Sequence, residues 1–171
     1  MAEIAGVTRK GNAVQLTLSE GKHGELWHDC LELEKLLHKT ETAPALAADL
    51  CAGILSLYRG SFLPTCYMEW ANQYRDRLEL RLTQFLTRAV RASDQLPDAL
   101  RAEVAHRLLE IDACHQLACA ELMGQSLKAG RPEEALRLFK KVESRLRSDL
   151  GMEPEIKLLE LAYRAEIGLS A

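Results

Sequence analysis

The sequence predicts an all-α fold, an array of antiparallel helical hairpins, preceded by a small N-terminal β-hairpin. Three observations predict it. Leu, Ala, Glu and Arg are plentiful, aromatic residues make up only 5%, and β-branched residues thin out after Leu18, which is the composition of helices. Beyond Glu25, apolar residues recur every three or four positions, the spacing that gathers side chains on one face of a helix. Glycine and proline then divide the chain into helix-length pieces. With 171 residues, 47% apolar and 27% charged, the chain is long enough for one compact domain with a real core, and too apolar for wholesale disorder.

Each element follows from local pattern. Val14, Leu16 and Leu18 alternate with Gln15 and Thr17, the period of a half-buried strand, and Gly11-Asn12 before them suits a tight turn. Residues 1–24 are therefore read as a β-hairpin and linker, and residues 25–171 as the helical domain. The first helix covers about 26–39, through Leu26, Trp27, Cys30, Leu33, Leu36 and Leu37. Thr42 is placed to cap a second, with Ala43-Pro44 in its first turn, running to about Tyr58. The segment Arg59-Gly60-Ser61-Phe62-Leu63-Pro64 breaks it; Gly60 is expected to relieve the turn while Phe62 and Leu63 plug the core. The longest helix runs from about Tyr67 to Ala92, with Ala71, Tyr74, Leu78, Leu82, Phe85 and Ala89 on one face. Trp70, one turn before Tyr74, is expected to pack in the core rather than to anchor a partner. A fourth helix covers 98–110 and a fifth 114–129, which Gly130 ends in the left-handed conformation. Arg131-Pro132 starts a sixth, with Ala135, Leu138, Phe139, Val142, Leu146 and Leu150 as its stripe. Gly151 closes it, and Pro154 opens a last helix to about Ile167.

Residues 114–149 make a helix–turn–helix of tetratricopeptide size. Gly130, Ala135 and Phe139 fall where that motif places its turn glycine, small inter-helix residue and large packing residue, and Leu122 fits its first-helix leucine. Met123 stands where the motif prefers glycine and Ser126 where it prefers tyrosine. Residues 67–110 have similar architecture without the turn glycine. The reading is a degenerate, tetratricopeptide-like array; a generic helical bundle is the alternative.

A set of segments occurs in order along residues 26–167. They are Leu57-Tyr58-Arg59-Gly60-Ser61-Phe62-Leu63-Pro64, then Trp70-Ala71 with Arg75-Asp76-Arg77-Leu78, then Leu108-Leu109-Glu110-Ile111-Asp112 and Glu121-Leu122-Met123. Gly130-Arg131-Pro132-Glu133-Glu134-Ala135-Leu136 and Leu150-Gly151-Met152-Glu153-Pro154 complete it. The ordered set resembles the bacterial transcriptional activator domain, a tetratricopeptide-like module of bacterial transcription regulators. The resemblance implies an architectural role for Arg59, Gly60, Phe62, Leu63, Trp70, Arg75, Leu78, Asp112, Met123, Gly130, Arg131, Ala135, Gly151 and Pro154. It also implies that the strand Val14-Gln15-Leu16 and the following Trp27-His28-Asp29 continue a preceding winged-helix-like segment. Two positions depart: Ala113 replaces a usual proline and Gln116 a frequent glutamate.

The sequence offers little for chemistry. The formal charge is −3, so broad attraction to nucleic acid is not expected. No run approaches the roughly 20 apolar residues of a membrane span, and no signal peptide is visible, so a cytoplasmic protein without membrane contact is expected. Cys30, Cys51, Cys66, Cys114 and Cys119 are odd in number and contain no C-x-x-C pair, which suits reduced thiols. Cys114, His115 and Cys119 cluster in sequence, but five residues separate the cysteines and His106 lies on another helix. His23, His28 and His38 are scattered. Neither a metal nor any other cofactor is expected. No G-x-S-x-G, H-E-x-x-H or phosphate-binding glycine loop occurs, so catalysis is not expected. Arg137, Lys140, Lys141, Arg145 and Arg147 give the sixth helix a basic character, but Glu133, Glu134, Glu143 and Asp149 interleave with them; a solvated face is favoured over a DNA-reading helix.

What is left is a protein-binding surface. In tetratricopeptide hairpins the first helix lines the concave side, and the Gly130–Ala135 register puts Leu117, Ala120, Gly124, Leu127 and Lys128 there. The groove either accepts a helix or extended peptide, or lies covered by the long helix or the last one. The expected function is a non-catalytic regulatory and interaction domain of a bacterial transcription regulator, self-associating as a homodimer or docking another domain, with DNA reached only through a domain elsewhere. A free-standing adaptor unrelated to transcription, or direct DNA contact, are the alternatives.

Overall fold

In a computed structural model, the described residues are 4–10, 13–18, 29–42, 47–92 and 95–170, with side chains described from Asp29 onward. Seven α-helices are described: α1 (Asp29–Thr42), α2 (Ala48–Leu57), α3 (Glu69–Arg91), α4 (Asp98–Ile111), α5 (Gln116–Lys128), α6 (Pro132–Arg145) and α7 (Ile156–Ser170). No side chain of the expected N-terminal hairpin is among those described, and its Gly11-Asn12 turn lies outside the described residues. Of its backbone, β1 (Ile4–Lys10) and β2 (Ala13–Leu18) run antiparallel.

Each helix from α3 onward packs against the next, and α1, α3, α5 and α7 also neighbour one another in series. That is the arrangement of stacked helical hairpins, in which the odd-numbered helices share one side. Two buried clusters hold the array together. The first joins α1 to α5 through Leu33, Leu37, Ile54, Leu78, Leu82, Phe85, Leu86, Val104 and Leu108. The second joins α5, α6 and α7 through Cys119, Met123, Ala135, Phe139, Val142, Leu146, Leu158, Ala162 and Ala165. Among the described residues, no buried side-chain nitrogen or oxygen lacks a hydrogen-bond partner.

The helix ends follow local chemistry, with corrections. Gly130 (φ 69°) closes α5: the Arg131 N–H donates to Ser126 O at 2.8 Å and the Gly130 N–H to Leu127 O at 3.1 Å, the paired bonds of a left-handed C-terminal cap. Gly151 (φ 62°) closes the next element in the same conformation. Thr42 does not cap α2. It is the last residue of α1, and the residue that precedes α2 is Ala47; Ala43-Pro44 lie outside the described residues. α2 begins later, at Ala48. Pro154 does not open the last helix either; it is buried, two residues ahead of α7. Leu150 leaves the α6 stripe and is 55% exposed, because Leu146–Leu150 form a π-helical turn. With i→i+5 bonding, a residue four positions on is rotated off the face that an α-helix would preserve.

Trp70 is not a core residue. Ala71 begins the buried face of α3, and Trp70, about 100° round the helix, is 56% exposed beside Tyr67 and Met68. Phe62 does pack against the core, its ring 4.6 Å from that of Tyr74, but Leu63 is exposed and holds a positive φ of 43°.

A candidate protein-docking cleft between alternate helices

The interhelical turn before α3 is held by one side chain. Arg75 donates from Nε to Phe62 O (2.8 Å) and from Nη2 to Leu63 O (2.6 Å) and Cys66 O (3.1 Å), while Nη1 reaches Asn72 Oδ1 (2.9 Å). A guanidinium presents its donors in a fixed fork, so one residue pins three carbonyls of a loop that has no ladder of its own. Ser61 Oγ adds a bond to Glu79 Oε1 at 2.6 Å. Arg59, Gly60, Phe62, Leu63 and Leu78 border a cavity of about 350 Å³ here, and Gly60 takes a φ of 145°. The segment is a braced turn.

The other expected positions are accounted for similarly. Asp112 Oδ1 accepts from the Cys114 N–H at 2.9 Å and shapes the α4–α5 corner. Met123 and Ala135 are fully buried between α5, α6 and α7. Arg131 pairs with Glu134 at 2.8 Å. On α6, Arg137, Lys140, Lys141 and Arg145 are exposed, and Arg147 is held between Glu143 (3.0 Å) and Glu153 (2.9 Å). Gln116, one of the two departures, links two helix starts by accepting the Glu155 N–H at 2.6 Å.

The cysteine region does not converge as a ligand set: among the described residues no three of His, Cys, Asp and Glu could hold a metal. Burial pushes the Cys119 thiol up to about 12 and the Cys51 thiol to about 11; burial and neighbouring Asp29 raise Cys30 to about 11. These thiols stay protonated at neutral pH and are weak nucleophiles. His115 is the N-cap of α5. Its Nδ1 accepts from the Ala118 N–H at 3.3 Å, and its Nε2 lies 3.1 Å from Thr87 Oγ1. Burial holds its pKa below the ordinary 6.5.

A cavity of about 400 Å³ opens between α3, α5 and α7. Leu117, Ala120, Gly124 and Lys128 line it as the hairpin register predicts; Leu127 does not, and packs instead against the second cluster. Neither flanking helix covers the cleft. They wall it, α3 with Val90 and Arg91, α7 with Lys157 and Leu161. Glycine inside a helix costs roughly 1 kcal/mol relative to alanine. Nothing lies within 4 Å of where a Cβ on Gly124 would sit, so the missing side chain leaves the floor open.

The electrostatics of the cleft are one-sided. Its carboxylate, Glu121, is committed: Oε1 accepts from Arg101 Nε at 2.9 Å and from Gln125 Nε2 at 2.7 Å. Arg101 is buried and also bonds the exposed Asp98 at 2.6 Å, so Glu121 is held by a cation of its own while Asp98 leaves the three residues with one net negative charge outside the cleft lining. No ion pair joins Arg91, Lys128 or Lys157 to another described residue. The cleft thus combines an apolar floor with three cationic rims. Sequence reasoning missed Arg91, Lys157 and the Arg101–Glu121 pair, since residues twenty or more positions apart meet only through packing.

The profile of the bacterial transcriptional activator domain matches residues 29–165, the whole helical array short of its last few residues. The chain belongs to this family. No curated protein and no solved structure matches it. As a bacterial transcriptional activator domain, the chain is a domain of a bacterial transcription regulator, and the segments that carried the resemblance lie at its turns and helix contacts. Among the described residues no helix is long and apolar enough to cross a membrane.

Proposed function

We propose that this chain is a non-catalytic interaction domain that receives an acidic, apolar-anchored peptide segment in the cleft between α3, α5 and α7. The segment belongs to another domain or a partner protein, and docking it positions a DNA-binding element carried elsewhere in the regulator. On this reading the N-terminal strands β1 and β2 form the hairpin that joins the array to a preceding winged-helix-like segment. The observation that carries the proposal is the unbalanced charge: Arg101 neutralises Glu121, while Arg91, Lys128 and Lys157 stay unpaired around Val90, Leu117, Ala120 and Leu161. Apolar contacts on the floor supply affinity, and the cations select the sign of the partner and speed encounter. A phosphate backbone would meet the same cations but gain nothing from the apolar floor.

The test is a two-dimensional amide NMR titration with an amphipathic peptide carrying Glu on its polar face, beside the same peptide carrying Lys. The acidic peptide should shift resonances of α3, α5 and α7 around the cleft, and Lys128→Glu with Lys157→Glu should abolish the effect. Equal binding of both peptides, or shifts confined to the far side of α6, would contradict the reading.

A further inference from the structure

The last helix is apolar on two opposite faces. Its inner face, Leu158, Ala162 and Ala165, is buried in the second cluster. Its outer face repeats the pattern: Ile156, Leu159, Tyr163 and Ile167 follow at spacings of three and four and lie on one stripe, with Ile156 75% and Tyr163 64% exposed. An apolar stripe left on the outside of a helical array invites association. Here the stripe runs along nearly the full helix, and the cleft opens on the opposite flank, through Lys157 and Leu161.

We infer that α7 is a self-association surface, pairing with α7 of a second copy in antiparallel orientation. This rests on the reading of the chain as an interaction domain and names one of its partners. The charges beside the stripe choose both occupant and direction. Glu160 and Arg164 are exposed one turn apart on the same flank, and neither is ion-paired with another described residue. In an antiparallel pair centred between residues 161 and 162, Ile156 meets Ile167 of the second copy and Leu159 meets Tyr163. Residues on one flank then face the same flank of the other copy, so Glu160 comes beside Arg164 and, by symmetry, Arg164 beside Glu160. In a parallel pair the two-fold axis would put the two copies of this flank on opposite sides of the seam, so Glu160 and Arg164 would not meet across it. Self-complementarity of this kind is what a two-fold interface requires, since one patch must fit itself. The apolar repeat supplies the seam, as in the a and d positions of a coiled coil.

The test is sedimentation velocity over a wide dilution series with the whole chain. Wild type should pass from dimer to monomer on dilution. Tyr163→Glu should be monomeric throughout with an unchanged melting temperature, because the side chain it replaces is exposed. Glu160→Arg should weaken the dimer about tenfold by creating two like-charged contacts, and Glu160→Arg combined with Arg164→Glu should restore it. A wild type that is monomeric at every concentration, as when a downstream helix or another protein covers the stripe, overturns the proposal. So does a dimer indifferent to Tyr163→Glu, or a charge swap that fails to rescue. Peptide binding in the cleft is read separately, so the failure of one proposal does not mask the other.

Discussion

The two clusters that hold the array together differ in their balance of long and small side chains. The first, between α1 and α5, is mostly long ones: Leu37, Ile54, Leu82, Leu86 and Leu108 are all essentially inaccessible, with Ala89, Ala105 and Ala118 a minority among them. The second, between α5, α6 and α7, alternates small and large, with Ala120, Ala135, Ala162 and Ala165 set among Met123, Phe139, Leu146 and Leu158. Alanine at a contact lets helix backbones approach closely, whereas leucines hold them apart and fill the gap. The first region is therefore vulnerable to truncation and the second to enlargement. The cleft lies where the two regions meet, with Val90 and Leu117 on the side of the first and Ala120 and Leu161 on the side of the second.

The largest expected effect breaks that comparison where it is sharpest. Ala135→Arg forces a bulky cation into a fully buried contact and should destabilise by several kcal/mol, on the order of 4 or more, through overpacking and an unpaired buried charge. Leu86→Ala in the first cluster should cost less, about 3 kcal/mol, by leaving a cavity. Urea unfolding measures both. A small loss for Ala135→Arg would show that the α5–α6 contact is loose, and the contrast between the regions would fall.

A smaller effect concerns the corner between α4 and α5. His115 caps α5 only while Nδ1 is free to accept. Its folded pKa lies below the ordinary 6.5, so the cap's contribution is fully present above that pH. As pH falls from there through the lower folded value, the unfolded chain binds the proton more readily and the contribution is lost. His115→Asn keeps an accepting cap that does not titrate. Melting curves should show wild type losing about 1 kcal/mol relative to this variant on acidification, the usual worth of an N-cap. Parallel pH profiles would remove His115 from the account.

What was legible in the sequence was what local chemistry decides. Gly130 and Gly151 sit at positive φ where their positions forecast, and the hairpin register placed Leu117, Ala120, Gly124 and Lys128 on the cleft without any knowledge of the neighbours. What was not legible depends on contacts between distant residues. Val90, Arg91, Lys157 and Leu161 join the cleft because α3 and α7 flank α5, and nothing in their own segments says so. Trp70 defies its spacing to Tyr74, because Ala71 and not Trp70 lies on the packed face of α3. Leu150 was misread because a π-turn leaves no periodic signature in five residues. The outer stripe of α7 stayed hidden, since one apolar repeat on a helix looks much like two until packing uses up one of them.

The central claim is that an open, cationic cleft between α3, α5 and α7 takes up a protein segment. Gly124→Leu tests it most directly, because the added side chain meets no neighbour within 4 Å of its Cβ and must project into the cleft. Calorimetric titration with the acidic amphipathic peptide, alongside a thermal melt, separates filling from unfolding. The account predicts a melting temperature at or above wild type, since glycine is replaced by a better helix former, together with loss of binding. Undiminished binding by a stable Gly124→Leu variant would contradict it.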